Sequence, residues 1–196
     1  VRNPVRLKNL RLRFLPFFVL GAAALVYARP SLWSILPGVA LVLAGEALRS
    51  WGAGHLVKNH ELTVSGPYAH VRHPLYAGSL LVGTGFSLMV GGRAAVLLLA
   101  LLLPWFFLDY FPRKERIESA RLERRYGEAY AAYRRRVPAL LPRLSPWRGT
   151  SASHAPTSSA RARWSGDRFV GNNELGTALA LAAGLGIFAL RGAWPW

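Results

Sequence analysis

Apolar positions in this chain come in uninterrupted blocks rather than at amphipathic helical or alternating spacing. Phe14 to Ala28, Ser31 to Gly45 (continued beyond Glu46 by Ala47 and Leu48), Pro74 to Gly92, Ala94 to Leu108 and Leu175 to Leu190 carry no charged residue. Each block is about 15 to 20 residues long, close to the ~20 that a helix needs to cross ~30 Å of hydrocarbon. The pattern predicts spans at 14–28, 31–48, 74–92 and 94–112, within a core of residues 1–143, and an additional C-terminal transmembrane helix within 169–196. A soluble chain of 196 residues could not bury five such helices. The expected fold class is therefore all-α, a polytopic membrane helical bundle of about five transmembrane helices. The first block does not read as a cleavable signal, since a second apolar block follows at once.

The connections refine this picture. Arg29-Pro30 and Gly91-Gly92-Arg93 are so short that each must join antiparallel helices, with Pro and Gly supplying the turns. Segment 113–143 is rich in Glu, Arg, Ala and Tyr and predicts a cytoplasmic helix ending near Pro138. Residues 144–168, dominated by Ser, Ala, Pro and Arg, predict a flexible cytoplasmic linker to the last span. No internal repeat of the kind that builds inverted transporter halves is visible.

Composition matters mainly through the placement of charge. The chain has 25 Lys plus Arg against 9 Asp plus Glu, a net charge of +16, and no cysteine. Disulfides, thiolate metal sites and a cysteine nucleophile are excluded. Twenty-two basic residues fall in the N-terminal tail, between spans two and three, or in 113–168, and three (Arg29, Arg93 and Arg191) on the opposite side. This positive-inside asymmetry places the N-terminus in the cytoplasm and the C-terminus outside, in what we expect to be a bacterial inner membrane. The charge is thus mostly topology, and nucleic acid is not an expected partner.

Candidate chemistry concentrates in Gly54 to Tyr76, GHLVKNHELTVSGPYAHVRHPLY, which holds four of the five histidines. His55, His60, His70 and His73 give one i,i+3 pair and no carboxylate at ligand spacing, so no metal is expected. An interfacial loop anchored by Tyr and Arg is one reading. The other starts from Arg72-His73-Pro74, where Pro at a helix start leaves first-turn N–H groups free for an anion such as a carboxylate.

The run VSGPYAHVRHPLYAG resembles the signature of integral-membrane methyltransferases of the isoprenylcysteine carboxyl methyltransferase and phospholipid methyltransferase type. Gly66, Tyr68, Arg72, His73, Pro74, Tyr76 and Gly78 fit its pattern. Downstream, Glu118 to Leu122, Tyr126-Gly127 with Tyr130 and Tyr133, and Val137-Pro138 are similar to the family's second block, so the resemblance covers about residues 45–143. It implies S-adenosylmethionine-dependent methyl transfer to a membrane-embedded, lipid-like or isoprenoid acceptor. It also implies a donor site of His60, Glu61, Leu62, Thr63, Tyr68, His73, Pro74, Leu75, Tyr76 and Glu118. Arg72 and Glu118 are the candidate catalytic residues, and Lys114 or Arg113 the candidate substrate contacts. Aromatic faces suit a sulfonium cation, and a carboxylate suits an ammonium or a ribose hydroxyl. The family's second glutamate is Ser119 here.

Other features stay open at this level. Glu46 and Asp109 are intramembrane acids and so functional suspects, although Glu46 lies one turn from Arg49 and could form a structural pair with it. Arg134-Arg135-Arg136 suits lipid phosphate. Gly78, Gly83 and Gly85 along span three fit either close helix packing or a lateral groove for a lipid tail. An NADPH-dependent membrane reductase of related fold and a non-catalytic membrane partner are the competing functions.

Overall fold

The computed structural model describes residues 26–57, 61–148 and 163–193. The span expected at 14–28, apart from its last residues, lies outside the described residues, as do His60 and positions 149–162 of the expected linker. All regular structure among the described residues is helical. Helix α1 is Leu32–His55, α2 Pro74–Val90 and α3 Gly92–Pro104, continued by a π-helical stretch, Trp105–Tyr110, into α4, Phe111–Arg136. A short α5, Gly166–Gly171, precedes α6, Glu174–Ala193.

α1 and the rod Gly92–Arg136 are long and apolar enough to cross a membrane, while Pro74–Val90 and Glu174–Leu190 are shorter apolar helices. Their outward faces carry Trp33, Leu36, Val96, Leu101, Leu108 and Leu179, all exposed. Large apolar side chains displayed all around a bundle need hydrocarbon, not water, as solvent. The molecule is an all-helical integral membrane protein.

Small residues set the closest helix contact. A Cβ on Gly45 would lie 2.6 Å from Gly78 O, and one on Gly85 would lie 2.5 Å from Gly38 O. Gly78 and Gly85 therefore let the α1 and α2 backbones touch, the packing that membrane helices use in place of a hydrophobic drive. Gly83 faces the Leu102 side chain of α3 instead, at 3.2 Å. All three glycines face a neighbouring helix at packing distance among the described residues. At the α2–α3 turn Gly91 has φ +72° and backs onto Arg29 O, while the Arg29 N–H donates to Val90 O at 2.8 Å. A side chain at Gly91 is excluded both by the left-handed backbone and by that carbonyl.

Two irregularities shape the long rod. Pro112 cannot supply the N–H that a regular helix would offer to the Leu108 carbonyl, and the turn just before it is π-helical, with the Phe111 N–H bonded to Phe106 O. The span and the expected cytoplasmic helix are thus one element. Further on, Gly127 (φ 49°, ψ −127°) breaks the helical backbone, so the turns from Glu128 to Arg136 change direction.

Candidate functional site

The loop between α1 and α2 owes its shape to distant chain. Arg72 and His73 donate their backbone N–H groups to Pro138 O (2.8 Å) and Ala139 O (3.1 Å). Arg143 and Trp147 donate theirs to His70 O (3.0 Å) and Ala69 O (2.8 Å). Residues up to Trp147 are therefore docked, with the Trp147 ring edge-on to Tyr133, where a flexible linker was expected from 144 onward. The anion site expected at the start of α2 also changes. Its first-turn donors are largely consumed, since the Tyr76 N–H returns to His73 O at 3.1 Å.

The Gly127 break turns two tyrosines back onto this loop. Tyr133 donates its hydroxyl to Tyr68 O at 2.7 Å, and Tyr130 Oη shares a hydrogen bond with Ser119 Oγ at 2.7 Å. Between the loop, the start of α2 and α4 lies a cavity of about 450 Å³, within the range that holds cofactors. Leu56, Val57, Glu61, Leu62 and Thr63 form one wall, Tyr68 and Arg72 to Tyr76 a second, and Lys114, Glu118, Arg121, Arg125 and Tyr126 a third.

A polar network runs behind the α2 wall. Arg72 donates from Nε to Val137 O (3.0 Å) and from Nη1 to Glu115 Oε1 (2.7 Å) and Tyr130 Oη (3.3 Å). The His73 imidazole, buried, sets Nε2 against Glu115 Oε2 and holds Nδ1 3.7 Å from Glu118 Oε2. Its ring stacks on Tyr76, whose hydroxyl donates to Glu118 Oε2 at 3.2 Å. Burial alone would raise the Glu115 carboxyl, but the hydrogen bond and charge of His73, and then Arg72, bring it down to about 2. Burial, with Glu118 nearby, pushes the Tyr68 hydroxyl well up, and burial does the same to Tyr133. Both stay neutral at ordinary pH.

Glu61, Leu62, Thr63, Tyr68, Arg72, His73, Pro74, Leu75, Tyr76, Lys114 and Glu118 all line the cavity. Arg113 does not, because it pairs with Asp109 at 3.0 Å on the exposed face of the rod. Arg72, expected to be catalytic, spends its guanidinium on Glu115, Val137 and Tyr130. His55 and His70 are structural, bonded through Nδ1 to Ser65 Oγ (3.1 Å) and Arg143 O (2.8 Å). The alternative of a Glu46–Arg49 pair is not what forms. Glu46 accepts from Ser50 Oγ at 2.8 Å, and Arg49 bridges to Glu174 at 2.6 Å. Sequence reasoning missed Glu115, Arg121 and Arg125. Their i,i+3 and i,i+4 spacing with Glu118 and Leu122 was the signal that could have found them.

Residues 33–129 match the model of the phospholipid methyltransferase family. Over 67% of its length the chain is 33% identical to 56% of the protein-S-isoprenylcysteine O-methyltransferase of Schizosaccharomyces pombe. It is 40% identical to the cobalt-zinc-cadmium resistance protein CzcN of Cupriavidus metallidurans over 58% of this chain and 50% of that one. A shorter stretch, 40% of this chain and 18% of the relative, is 39% identical to the mouse delta(14)-sterol reductase TM7SF2. The chain spans about half the length of the curated relatives it matches. No solved structure matches it significantly.

Proposed function

Since the chain belongs to the family of integral-membrane phospholipid and isoprenylcysteine methyltransferases, we propose that it transfers a methyl group from S-adenosylmethionine to a lipid-like or isoprenoid acceptor. The observation that carries this reading is the cavity itself, which gathers both motif blocks of the family from opposite sides of a membrane span pair. The residues present suit the donor. Tyr68, Tyr76 and Tyr126 bring aromatic rings to a cavity that also holds the Glu118 carboxylate. When bound, S-adenosylmethionine supplies an electrophilic methyl group on a sulfonium.

The protein's own work is to bind, align and exclude water. The tyrosine faces would receive the sulfonium charge. Glu118, oriented by the Tyr76 hydroxyl and by His73, would take the ammonium or a ribose hydroxyl. The backbone and side chains of 61–63 and 73–76 would enclose the rest. Arg121 and Lys114 face the same space and suit the donor carboxylate or an anionic acceptor. Arg72 then acts by holding Glu115 and the 137–138 turn. The proposed setting is a bacterial inner membrane with the N-terminus and cavity cytoplasmic and the C-terminus outside. The chain up to Trp147 belongs with the core, and Glu174–Ala193 adds a further span.

An NADPH-dependent reductase is the second reading. The sterol-reductase similarity and three of the four Lys and Arg side chains on the cavity, Lys114, Arg121 and Arg125, favour it. Calorimetry of the detergent-purified protein with S-adenosylhomocysteine and with NADPH separates the two. We expect S-adenosylhomocysteine to bind and NADPH not to. NADPH binding alone would replace the methyltransferase reading, and binding of neither would leave a non-catalytic membrane partner. A lipid-extract assay with labelled donor then identifies the acceptor.

A further inference from the structure

The family match ends at residue 129, yet the chain beyond the expected linker reaches back to the cavity walls by two routes. The first runs through a buried ion pair. Glu174, at the start of α6 and with a side chain only 4% exposed, accepts from Arg49 Nε at 2.7 Å and faces Nη2 at 2.6 Å. The remaining guanidinium nitrogen of Arg49 is committed to α2. Nη1 donates to Leu75 O at 3.3 Å and to Ser79 Oγ at 2.5 Å, and Ser79 in turn donates to Leu75 O at 2.9 Å. Leu75 lines the cavity, and its neighbour Tyr76 holds Glu118. A rigid, fork-shaped cation carrying one partner on each side transmits position as well as charge.

The second route pins the end of α1. Trp164 Nε1 donates to Ser50 O (3.0 Å), Arg168 Nε to Gly54 O (2.8 Å), and Asn172 Nδ2 to Ala53 O (2.8 Å) and Leu56 O (3.1 Å). The Ala53 and Gly54 carbonyls are among the last of the helix, which have no partner within it. Leu56 and Val57, the next residues, form a cavity wall.

We infer that the 163–174 segment braces the donor site, with Glu174 as a positioning residue that acts through Arg49 on the Leu75–Ser79 turn and Asn172 as a second one that acts on Leu56. The inference rests on the donor-site reading above. Its consequence is specific. Loss of the brace should loosen donor binding without touching the acceptor or the transfer step.

The test compares the full-length wild type with Glu174→Gln, the conservative Glu174→Asp, Asn172→Ala, and Glu128→Gln as a control on an exposed carboxylate. Glu174→Gln should weaken S-adenosylhomocysteine binding about ten-fold and raise the KM for S-adenosylmethionine alike, with kcat and the acceptor KM near wild type. Asn172→Ala should do so about three-fold, Glu174→Asp should recover part of the loss, and Glu128→Gln should change nothing. A merely structural role would lower the active fraction, and so kcat, at unchanged KM. That outcome, or wild-type affinity in both Glu174→Gln and Asn172→Ala, overturns the brace. Hydrogen exchange of residues 72–79 keeps the two readings apart. Should the wild type bind no S-adenosylhomocysteine, faster exchange in Glu174→Gln would uphold the coupling while the donor reading fell, and unchanged exchange would overturn both.

Discussion

Glu115 shows how one side chain can organise a site without belonging to any motif. It stands between Arg72 and His73, accepts from Ser119 Oγ at 3.2 Å, and so connects α4 to the start of α2. Its carboxyl is held at about 2 in the folded protein against an ordinary 4.5. A depressed folded value means that its stabilising contribution is fully present above pH ~4.5 and is lost as pH falls toward 2. Thermal unfolding in detergent across that window should show the wild type losing stability more steeply than Glu115→Gln. Parallel curves would mean that the network titrates elsewhere. Ser119, which takes the place of a glutamate, fits the same network, since a second carboxylate beside Glu115 would compete for one arginine.

At the scale of elements, the break at Gly127 does more for the site than the regular helix around it. A Cβ there would meet nothing within 4 Å, so space is not the constraint. The backbone is, because φ 49° with ψ −127° is a conformation that L side chains rarely adopt. Gly127→Ala should therefore destabilise the protein by about 1–3 kcal/mol through backbone strain alone. It should also release Tyr130 and Tyr133 from Ser119 and Tyr68. Thermal unfolding checks the first effect, and loss of S-adenosylhomocysteine affinity the second. An unchanged Tm would mean that the break is imposed by tertiary contacts and not by glycine.

The whole molecule separates the two ends of its spans sharply. The short α2–α3 turn at Gly91 lies at one end, and the cavity, the docked 137–147 chain and the Arg134–Arg136 run lie at the other. Cysteines placed singly at Arg93 and at Arg135 should label from opposite sides of the membrane with an impermeant reagent. Labelling from one side would break the proposed topology. At this scale the C-terminal helix belongs to the site's support, joined to α1 by a buried charge pair, and is not a separate anchor.

Much of this was legible in the residues alone. Uninterrupted apolar blocks dictated helices in hydrocarbon because no other backbone arrangement satisfies its own hydrogen bonds there. The RHP run and the Tyr-Gly-x-x-Tyr-x-x-Tyr run marked both halves of the cavity, because each is local and keeps its side chains at fixed spacing. What the sequence could not show are the pairings between residues far apart in the chain. Arg49 with Glu174 lies 125 positions apart, Arg72 with Glu115 43, and Tyr133 with Tyr68 65. A helical period says which face a residue occupies but not which charge will be opposite it. So a pair between Arg49 and Glu46, one turn away, was one of two readings. The folded chain gave Arg49 a buried carboxylate from the last helix on one side and Leu75 O with Ser79 Oγ of α2 on the other, an arrangement that no helical period encodes.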